Sequence, residues 1–309
     1  MTLIDILIPT YNRCAPLREN LQLLGRQINK DNLSDKVSII ISDNASPDNT
    51  RETVAGFAWQ HPDIKIIYHR QPANKGLEQN AVDVLLQARS PYVMFLGDDD
   101  YLPEGYLAYC LKKINAATPG FIVPGLANLQ ADGKVIAGRL EKFDELALTH
   151  GFDTMYRYSH LGHQMSGILV RRESLAEDYL KHKQYRTPYL FIYFLAHSML
   201  NHNGYYVPQF KVKVSMGNTK DWSYNQIGLL DEVYKAYYPF IEPLGEKKVA
   251  RLMLRFTIMH AYRIDFGRGL LHNYRAIVRA ARNPAGFRSG LLWLLTKEYL
   301  RLRFKGGLN

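Results

Sequence analysis

The chain is poor in cysteine and has no long run of apolar residues. Its 309 residues include two cysteines, Cys14 and Cys110, which are too few for a disulfide framework and indicate a reducing compartment. No stretch approaches the roughly 18 consecutive apolar residues that a membrane-spanning helix needs. Met1–Asp5 also lacks the basic and apolar segments of a signal peptide. We therefore expect a cytoplasmic protein without disulfides or membrane spans.

Acidic residues are scarce in the last fifth of the chain. Residues 246–309 contain 14 Lys and Arg but 3 Asp and Glu, a net charge of +11, whereas residues 1–245 carry −1. With 47% hydrophobic residues, the chain as a whole has enough apolar side chains for a sizeable core. This asymmetry predicts a nearly neutral body and a basic C-terminal element that meets an anionic surface.

Strand-like and helix-like segments alternate in the first part of the chain. Apolar runs predict strands at Leu3–Pro9, Val37–Ser42, Ile64–His69 and Tyr92–Leu96. Helical spacing is found between them, at Pro16–Ile28, Pro47–Gln60 and Gly76–Ala88. This order predicts an α/β fold with a mostly parallel central sheet, in which ligands bind beyond the carboxyl ends of the strands.

The later part of the chain is less regular and then becomes helical. We predict further helices at Pro103–Ala116, Glu173–Lys183 and Pro188–Asn203. Shorter strands are predicted at Gly120–Pro124, Gln164–Val170, Tyr205–Pro208 and Lys211–Val214, with a hairpin around Ala131–Gly133. From about Trp222 onward the pattern is nearly all helical. We therefore predict one domain over residues 1–215 and a basic, mostly helical region over residues 216–309.

Three consecutive acids follow the fourth predicted strand. Asp98, Asp99 and Asp100 stand directly after Gly97, and adjacent carboxylates repel one another unless a positive charge lies on them. Mg²⁺ and Mn²⁺ prefer such oxygen ligands and leave positions open for phosphate. A solvated acidic turn before a helix that starts near Pro103 is the alternative, and this segment alone leaves both interpretations open.

Four motifs in this order resemble those of the family 2 glycosyltransferases. They are Ile8–Arg13 (IPTYNR), Ser42–Thr50 (SDNASPDNT), Asn74–Gly76 with Asn80, and Leu96–Pro103 (LGDDDYLP). The resemblance covers residues 3–125 well and residues 160–215 loosely. It implies the GT-A nucleotide-sugar-binding fold, followed here by a C-terminal helical extension.

The resemblance also implies roles for individual residues. Asp43 would accept a hydrogen bond from the nucleobase, and Lys75 would reach the base or the phosphates unless it is an ordinary solvated lysine. Asp99 would be the main ligand of Mn²⁺ or Mg²⁺, with Asp98 and Asp100 as further ligands. That cation would stabilise the leaving nucleoside diphosphate. The implied donor-binding set is Pro9, Thr10, Tyr11, Arg13, Asp43, Asn74, Lys75, Gly76 and Asp98.

The sequence departs from the family pattern at two points. Many members have an aspartate where Gly97 stands, which leaves open which acids hold the metal, and Asp100 would alternatively cap the next helix. The family also supplies a general base from an acidic helix start before a Gly-x-x-x-x-Pro strand, but Thr187–Tyr193 contains no acid. The candidates that replace it are His163 first, then Asp221, Asp144 and Glu145, and for each an ordinary surface residue is the alternative. This combination vaguely resembles O-antigen deoxyhexose transferases such as abequosyltransferases.

The end of the chain mixes basic and long apolar side chains. Leu291–Leu295 (LLWLL) precedes Lys297, Arg301, Arg303 and Lys305. This pattern predicts an amphipathic helix in a membrane interface, attracted by anionic lipid. A helix packed on the body with a solvated basic face is the main alternative, and we expect no nucleic acid partner.

These observations together predict a metal-dependent, inverting hexosyl- or deoxyhexosyltransferase. It would move a sugar from a nucleotide-diphosphate sugar to a hydroxyl of a lipid-linked or oligosaccharide acceptor in bacterial O-antigen or capsule synthesis. We expect it to be cytoplasmic and peripheral on the inner face of the cell membrane. One alternative is a sugar-phosphate nucleotidyltransferase, although Thr10–Arg13 lacks the expected glycine-rich phosphate loop. The other is a non-catalytic nucleotide-sugar-binding protein, suggested by the missing base.

Overall fold

The computed structural model describes residues 2–138, 141, 143–216, 229–261, 269–282 and 289–304. The strands are β1 Ile4–Thr10, β2 Val37–Asp43, β3 Ile66–Arg70, β4 Tyr92–Phe95, β5 Phe121–Leu129, β6 Val135–Ala137, β7 Leu146–Leu148, β8 Leu169–Arg171 and β9 Gly204–Ser215. The first helices are α1 Cys14–Lys30, α2 Thr50–Gln60, α3 Gly76–Gln87, α4 Tyr106–Ala117, α5 Phe152–Tyr158 and α6 Leu175–Leu180. They are followed by α7 Leu190–Asn201, α8 Leu229–Tyr237, α9 Ile241–Leu244, α10 Glu246–Met259, α11 Leu270–Ala281 and α12 Ser289–Phe304.

These elements fall into two compact units. The first comprises Met1–Thr149, Gln164–Ala176 and Asn201–Asn218. The second comprises His150–His163, Glu177–Leu200 and Thr219–Asn309. The chain thus passes between the units several times, and the single domain boundary after residue 215 stays a prediction.

The nine described strands form one mixed sheet in the first unit. Their order is β3-β2-β1-β4-β8-β5-β9-β7, with β6 beside β5. β1 runs parallel to β2 and β4, and β2 runs parallel to β3, whereas β8 is antiparallel to both β4 and β5. The predicted α/β fold is therefore confirmed. The sheet is mixed rather than mostly parallel, because four of the eight pairings between the described strands are antiparallel. The strand order reverses direction between β1 and β4, which makes their carboxyl ends the crevice where such sheets bind ligands.

Apolar runs explain why the first strands lie in the middle of the sheet. All seven residues of β1 and all seven of β2 are buried, as expected for parallel strands covered on both faces. α1 covers one face through a stripe of leucine and isoleucine at helical spacing. The residues of that stripe are 0–1% exposed and are Leu17, Leu21, Leu24 and Ile28.

Three predicted strands differ in extent from the observed ones. The strand predicted at Gln164–Val170 is limited to β8, because Gly167 has a φ of +79° and interrupts the extended chain. The strands predicted at Tyr205–Pro208 and Lys211–Val214 are one strand, β9. Its register against β5 shifts between Pro124 and Gly125, so a bulge absorbs the extra residues without ending the strand.

A buried carboxylate connects the amino ends of the central strands. Asp5 in β1 is 2% exposed and accepts hydrogen bonds from the hydroxyls of Ser38 in β2 and Ser90 before β4. Its Oδ2 accepts the backbone N–H groups of Arg89 and Ser90, both at 2.7 Å. Burial raises the pKa of Asp5, but these hydrogen bonds outweigh burial and hold the pKa below its ordinary value.

The described part of the second unit is helical. α10 packs on α5, α8 and α12, and α12 contributes Leu291, Leu295 and Tyr299, each at most 1% exposed and four residues apart. This apolar face of α12 is therefore covered within its own unit, as expected for a packed helix, whereas Trp293 and Leu300 of the same helix are exposed. No helix in the described ranges is long and apolar enough to cross a membrane.

We expect Asp5→Asn to lower the free energy of unfolding at pH 7 by about 1–3 kcal/mol, because an amide NH₂ cannot accept the N–H groups it would face. The aspartate stabilises the fold fully above its unfolded pKa of about 3.9. That contribution is lost as the pH falls through the lower folded pKa. In urea unfolding, the difference between wild type and variant should therefore shrink below about pH 4. Asp63→Asn, at an exposed position, is the control, and an equal loss there would contradict this role for Asp5.

Candidate active site

The candidate site lies at the carboxyl ends of β1, β2 and β4. Thr10 at the end of β1 is in register with Asp43 at the end of β2. On the other side of β1, the Thr10 hydroxyl donates a hydrogen bond to Asp98 Oδ2 at 2.8 Å. The parallel sheet thus brings together polar residues that the sequence analysis assigned to three separate strand ends.

Asp98 and Asp99 share one cation, the guanidinium of Arg13. Arg13 Nη2 donates a hydrogen bond to Asp99 Oδ2, and Arg13 Nε lies 3.3 Å from Asp98 Oδ1. The two aspartates are 6% and 2% exposed, so water cannot screen their mutual repulsion effectively. The position of Arg13, after β1, supplies the positive charge that this buried pair requires.

Asp100 has a different environment from its two neighbours. Its Oδ2 accepts the Ser166 hydroxyl, and its Oδ1 accepts the backbone N–H of Ser215 at 3.1 Å. Asn20 Nδ2 also donates to the Asp100 carbonyl oxygen at 2.7 Å. The helix-capping alternative for Asp100 was wrong, because α4 begins six residues later, at Tyr106, and its N-cap residue is Gly105. These contacts favour an anchoring role for Asp100, and its role as a metal ligand stays a prediction.

Gly97 is required by the position of the Asp100 carboxylate. A Cβ atom at residue 97 would lie 2.7 Å from Asp100 Oδ2 and 3.3 Å from Ser166 Oγ. The Gly97 N–H also donates to Ser166 Oγ at 2.9 Å, so the serine links residue 97 to Asp100. The departure from the family pattern therefore has a steric cause, since an aspartate at residue 97 would collide with this arrangement.

Asp43 lies in a polar pocket at the end of β2. Its Oδ1 accepts the Ser46 N–H at 2.8 Å, and its Oδ2 accepts the Tyr68 hydroxyl at 2.6 Å. Arg70 Nε lies 3.6 Å from the same Oδ2. Burial and the Asp43 carboxylate together raise the pKa of Tyr68 far above its ordinary value, so the tyrosine stays a hydrogen-bond donor. A carboxylate has about four acceptor positions, which leaves capacity for a ligand N–H.

The loop before α3 is shaped by asparagine side chains. Asn44 accepts the Lys75 N–H at 2.8 Å and donates to Asn74 Oδ1 at 2.8 Å. Asn74 Oδ1 also accepts the Gly76 N–H at 2.9 Å, and Gly76 has a φ of +83°, which favours glycine. Lys75 Nζ pairs with Asp83 of α3 at 3.2 Å, so its predicted contact with base or phosphate stays a prediction.

The sequence analysis missed several residues that shape the site. Tyr68 and Arg70 are two residues apart on β3, the neighbour of β2 in the sheet. Their side chains therefore lie on the same face of the sheet. Asn20 is one of two buried amides of α1, with Gln27, and donates to the Gly97 carbonyl oxygen at 2.8 Å. An amide beside the leucine stripe was a usable signal for Asn20, whereas no local pattern indicated Ser166 or Ser215.

The general-base candidates have unequal surroundings. His163 is half-buried in the second unit, with Nδ1 3.0 Å from the His160 carbonyl oxygen and 3.1 Å from His260 Nε2. Burial raises the pKa of Glu145, but hydrogen bonds from Lys113 and Tyr109 bring it below the ordinary value, which makes Glu145 a weaker base. Asp144 is exposed. Asp221 lies outside the described residues, and the choice of His163 stays a prediction.

The Asp98 and Asp99 carboxylates fit a hard divalent cation. Carboxylate oxygens are ligands that Mg²⁺ and Mn²⁺ prefer, and Arg13 demonstrates that this pair attracts positive charge. No group of three or more His, Cys, Asp or Glu within the described ranges is arranged to hold a metal ion. The pair therefore fits a cation held jointly by one or two carboxylates and substrate phosphates, rather than a site built wholly from protein.

The sequence is similar to one protein family and to two curated relatives. The sequence model of the family described as "Glycosyl transferase family 2" matches residues 5–180. Abequosyltransferase RfbV of Salmonella typhimurium is 38% identical over 107 residues, which are 34% of this chain and 31% of the relative. A GalNAc(5)-diNAcBac-PP-undecaprenol beta-1,3-glucosyltransferase of Campylobacter jejuni is 33% identical over 116 residues, 37% of this chain and 35% of the relative. The matched regions thus span about a third of each curated relative.

Solved structures share the fold over most of the chain. S. aureus TarS 1–349 in complex with UDP-GlcNAc has a TM-score of 0.65 and 14% identity, covering 91% of this chain and 81% of TarS. The mannosyltransferase PcManGT of Pyrobaculum calidifontis, in complex with GDP-Man and Mn²⁺, has a TM-score of 0.52 and 15% identity, covering 96% and 86%. At these identities the likeness establishes a GT-A-type fold and no more.

Proposed function

The chain belongs to glycosyl transferase family 2, and from this membership we propose that it transfers a sugar from a nucleotide-diphosphate sugar to a hydroxyl of a glycan. The observation that carries the proposal is the placement of Asp43 and the Asp98–Asp99 pair at strand ends on either side of β1. β2 and β4 are two strand spacings apart, about 10 Å. That distance suits a nucleotide with its base at Asp43 and its diphosphate near the acid pair.

The first unit supplies the donor site. Asp43 accepts an N–H of the nucleobase and is held in place by Ser46 and Tyr68. Tyr11, which is 43% exposed in the loop after β1, offers a ring to the base, and Thr10 fixes Asp98 by its hydroxyl. Pro9, Asn74, Lys75 and Gly76 complete the donor site.

Asp98 and Asp99 would hold Mn²⁺ or Mg²⁺. When bound, the cation would neutralise charge on the leaving nucleoside diphosphate. Asp99 Oδ2 already accepts Arg13, so Arg13 and a cation compete for the same oxygen. We propose that Arg13, once displaced, turns to the donor phosphates, which are the other anions at this end of the sheet.

We propose that His163 takes the proton of the acceptor hydroxyl, with Asp221 as the alternative base. His260 Nδ1 lies 3.0 Å from the Phe256 carbonyl oxygen, so it carries a hydrogen, and the lone pair of His260 Nε2 faces His163 Nδ1. His163 Nδ1 then carries the hydrogen, and its Nε2 has the lone pair that a base needs. In transfer with inversion, the acceptor oxygen bonds to the anomeric carbon as the bond to the diphosphate breaks.

We further propose a lipid-linked acceptor in bacterial surface polysaccharide synthesis. One relative is named as an abequosyltransferase and another by a PP-undecaprenol substrate, and both names support such an acceptor. An acceptor of this kind resides in a membrane. A protein that is peripheral on the inner face of the cell membrane would meet it there.

We expect Asp99→Asn to lower sugar transfer about 100-fold or more, because a neutral amide neither holds the cation nor balances charge as the carboxylate does. A panel of nucleotide sugars, read by thermal shift with Mn²⁺, first identifies the donor through its stabilisation of the fold. Transfer is then measured with wild type, Asp99→Asn and the exposed control Asp132→Asn. Full activity of Asp99→Asn would refute the metal assignment, and donor binding without transfer or hydrolysis by wild type would favour a binding protein.

We expect Arg13→Gln to bind Mn²⁺ about tenfold more tightly than the wild type does. The variant lacks the charge-assisted hydrogen bond to Asp99 that competes with the metal, and a tenfold change in affinity corresponds to about one such bond. The measurement is the dissociation constant from the electron paramagnetic resonance signal of free Mn²⁺, which requires no activity. Arg18→Gln, at an exposed arginine of α1, is the matched control. Unchanged or weaker Mn²⁺ binding by Arg13→Gln would show that the guanidinium and the metal do not share an oxygen.

We expect His163→Gln to lower transfer about 100-fold or more, the contribution typical of a general base, while donor binding is kept. The wild-type rate should fall at acidic pH as the base becomes protonated, and the variant should lose this acidic limb. His150→Gln, an exposed histidine of the same unit, is the control. A variant that retains the wild-type pH profile would exclude His163 and leave Asp221 as the candidate.

A further inference from the structure

Four cations form a continuous face on α10 in the second unit. At 100° per residue these side chains lie within about 100° of the helix circumference. Lys247 and Lys248 are exposed, and Arg251 and Arg255 are half-buried. We call this set the basic face of α10, and it consists of Lys247, Lys248, Arg251 and Arg255.

Aromatic rings of α5 support this face. Phe152 and Tyr156 are stacked, with centroids 5.9 Å apart and planes at 27°. Arg251 Cζ lies 5.3 Å from the Phe152 centroid and 4.7 Å from the Tyr156 centroid. Lys248 Nζ lies 5.2 Å from Phe152, and Arg255 Cζ lies 5.8 Å from Tyr156. Each ring thus holds two cations in place by cation–π attraction.

This arrangement positions the cations without neutralising them. Where the structure describes the chain, no member of the basic face lies in a salt bridge with a carboxylate, and the Arg255 Nε is buried without a hydrogen-bond partner. A ring quadrupole orients a cation but carries no net charge. No ion pair with a described residue therefore neutralises the basic face, and its exposed members are available to an external anion.

The positive surface continues from α10 onto α12. Arg301 donates hydrogen bonds to both oxygens of Glu298, at 2.9 and 2.6 Å. These hydrogen bonds lower the pKa of Glu298, with smaller contributions from the charges of Arg251 and Lys247. Two acids lie at this junction, Glu298 and Glu246, whose carboxylate lies beside Gly290 at the start of α12. They are outnumbered by Arg301 and the four cations of the basic face, so the junction between the two helices stays positively charged.

α12 adds exposed apolar side chains to this surface. Trp293 is 60% exposed and Leu300 is 37% exposed, and their spacing places them on one side of the helix. Lys297 lies between them, with Nζ 4.8 Å from the Trp293 ring. Tryptophan beside lysine, with a leucine two turns from the tryptophan, is a combination found on helices that lie in a membrane interface.

We propose that the basic face of α10 and the exposed side of α12 together bind the phosphate head groups of an anionic phospholipid bilayer. The face attracts the phosphates, and Trp293 and Leu300 enter the interface. Because Leu291, Leu295 and Tyr299 are buried in the unit, α12 binds as part of the folded unit and does not detach. The inference deepens the membrane attachment within the proposed function and rests on that function for its biological purpose.

Lipid fits this surface better than a nucleic acid does. Binding of single strands uses open aromatic faces on which bases stack, but the faces of Phe152 and Tyr156 are already taken by cations. The Leu300 side chain would have no apolar contact on a nucleic acid phosphate backbone, whereas it can be buried in a bilayer interface.

The test is sedimentation of the full chain with vesicles of 70% phosphatidylcholine and 30% phosphatidylglycerol, without any sugar nucleotide. We expect the triple variant Lys248→Gln/Arg251→Gln/Arg255→Gln to lower the vesicle partition coefficient about 100-fold, because each lost cation weakens binding about fivefold. The control is Arg26→Gln/Lys65→Gln/Lys112→Gln, which removes three exposed cations of the first unit and should bind as wild type does. If the first variant unfolds, the exposed pair Lys247→Gln/Lys248→Gln should still give about a 25-fold loss.

A second variant tests the apolar contribution. Trp293→Ser/Leu300→Ser should weaken vesicle binding about tenfold while the dependence on salt remains, because burial of apolar area and charge attraction act together. The proposal would be overturned if the two triple variants lost vesicle binding equally. It would also be overturned if the wild type bound vesicles of pure phosphatidylcholine as well as it bound the anionic vesicles. The proposal would also be overturned if the wild type bound single-stranded RNA but not vesicles, and the α10 variant lost the RNA binding. Donor binding read by thermal shift is independent of these assays, so a failed transferase assignment would be recognised separately.

Discussion

The first unit depends on how three consecutive carboxylates are buried at the end of β4. Asp98, Asp99 and Asp100 are each at most 6% exposed, and removing an isolated carboxylate from water costs several kcal/mol. Arg13, Ser166 and Ser215 offset that cost from three other parts of the chain. The turn after β4 is therefore held from β1, from the segment before β8 and from the end of β9, and it fixes the centre of the site.

The negative charges of adjacent acids in this turn are balanced in two different ways. Asp98 and Asp99 are balanced by the guanidinium of Arg13, which a metal cation would replace under the proposed function. Asp100 is balanced by a hydroxyl and a backbone N–H, which anchor the turn to neighbouring segments. Gly97 follows from this division, since any side chain at residue 97 would meet the Asp100 carboxylate. A displaceable counter-charge beside a fixed anchor suits a site that must accept a charged donor and release a charged product.

The second unit treats charge in the opposite way. Its cations on α10 are held by the rings of Phe152 and Tyr156, which leave their charge uncompensated. Its 10 Asp and Glu are outnumbered by 20 Lys and Arg, and Glu298 is engaged by Arg301. The first unit thus contains buried negative charge with a replaceable partner, and the second unit displays positive charge. Under the proposed function, the first property suits a divalent cation that holds a nucleotide diphosphate, and the second suits an anionic surface on which a lipid-linked acceptor would reside.

The alternation of strands and helices, and the polar residues after β1, β2 and β4, followed from the sequence alone. Hydrophobic periodicity is local, and a parallel sheet brings the carboxyl ends of its strands to one edge whatever the rest of the chain does. The different roles of Asp99 and Asp100 were decided by the tertiary structure. Ser166 and Ser215 stand 66 and 115 residues from Asp100, and no spacing rule relates them. Likewise, the basic composition indicated a positively charged C-terminal region. Only the packing of α10 on α5 determined that the aromatic rings of α5, rather than carboxylates, contact the cations of α10. The partner of a buried or aligned charge depends on which surfaces meet, and that is a property of the folded chain.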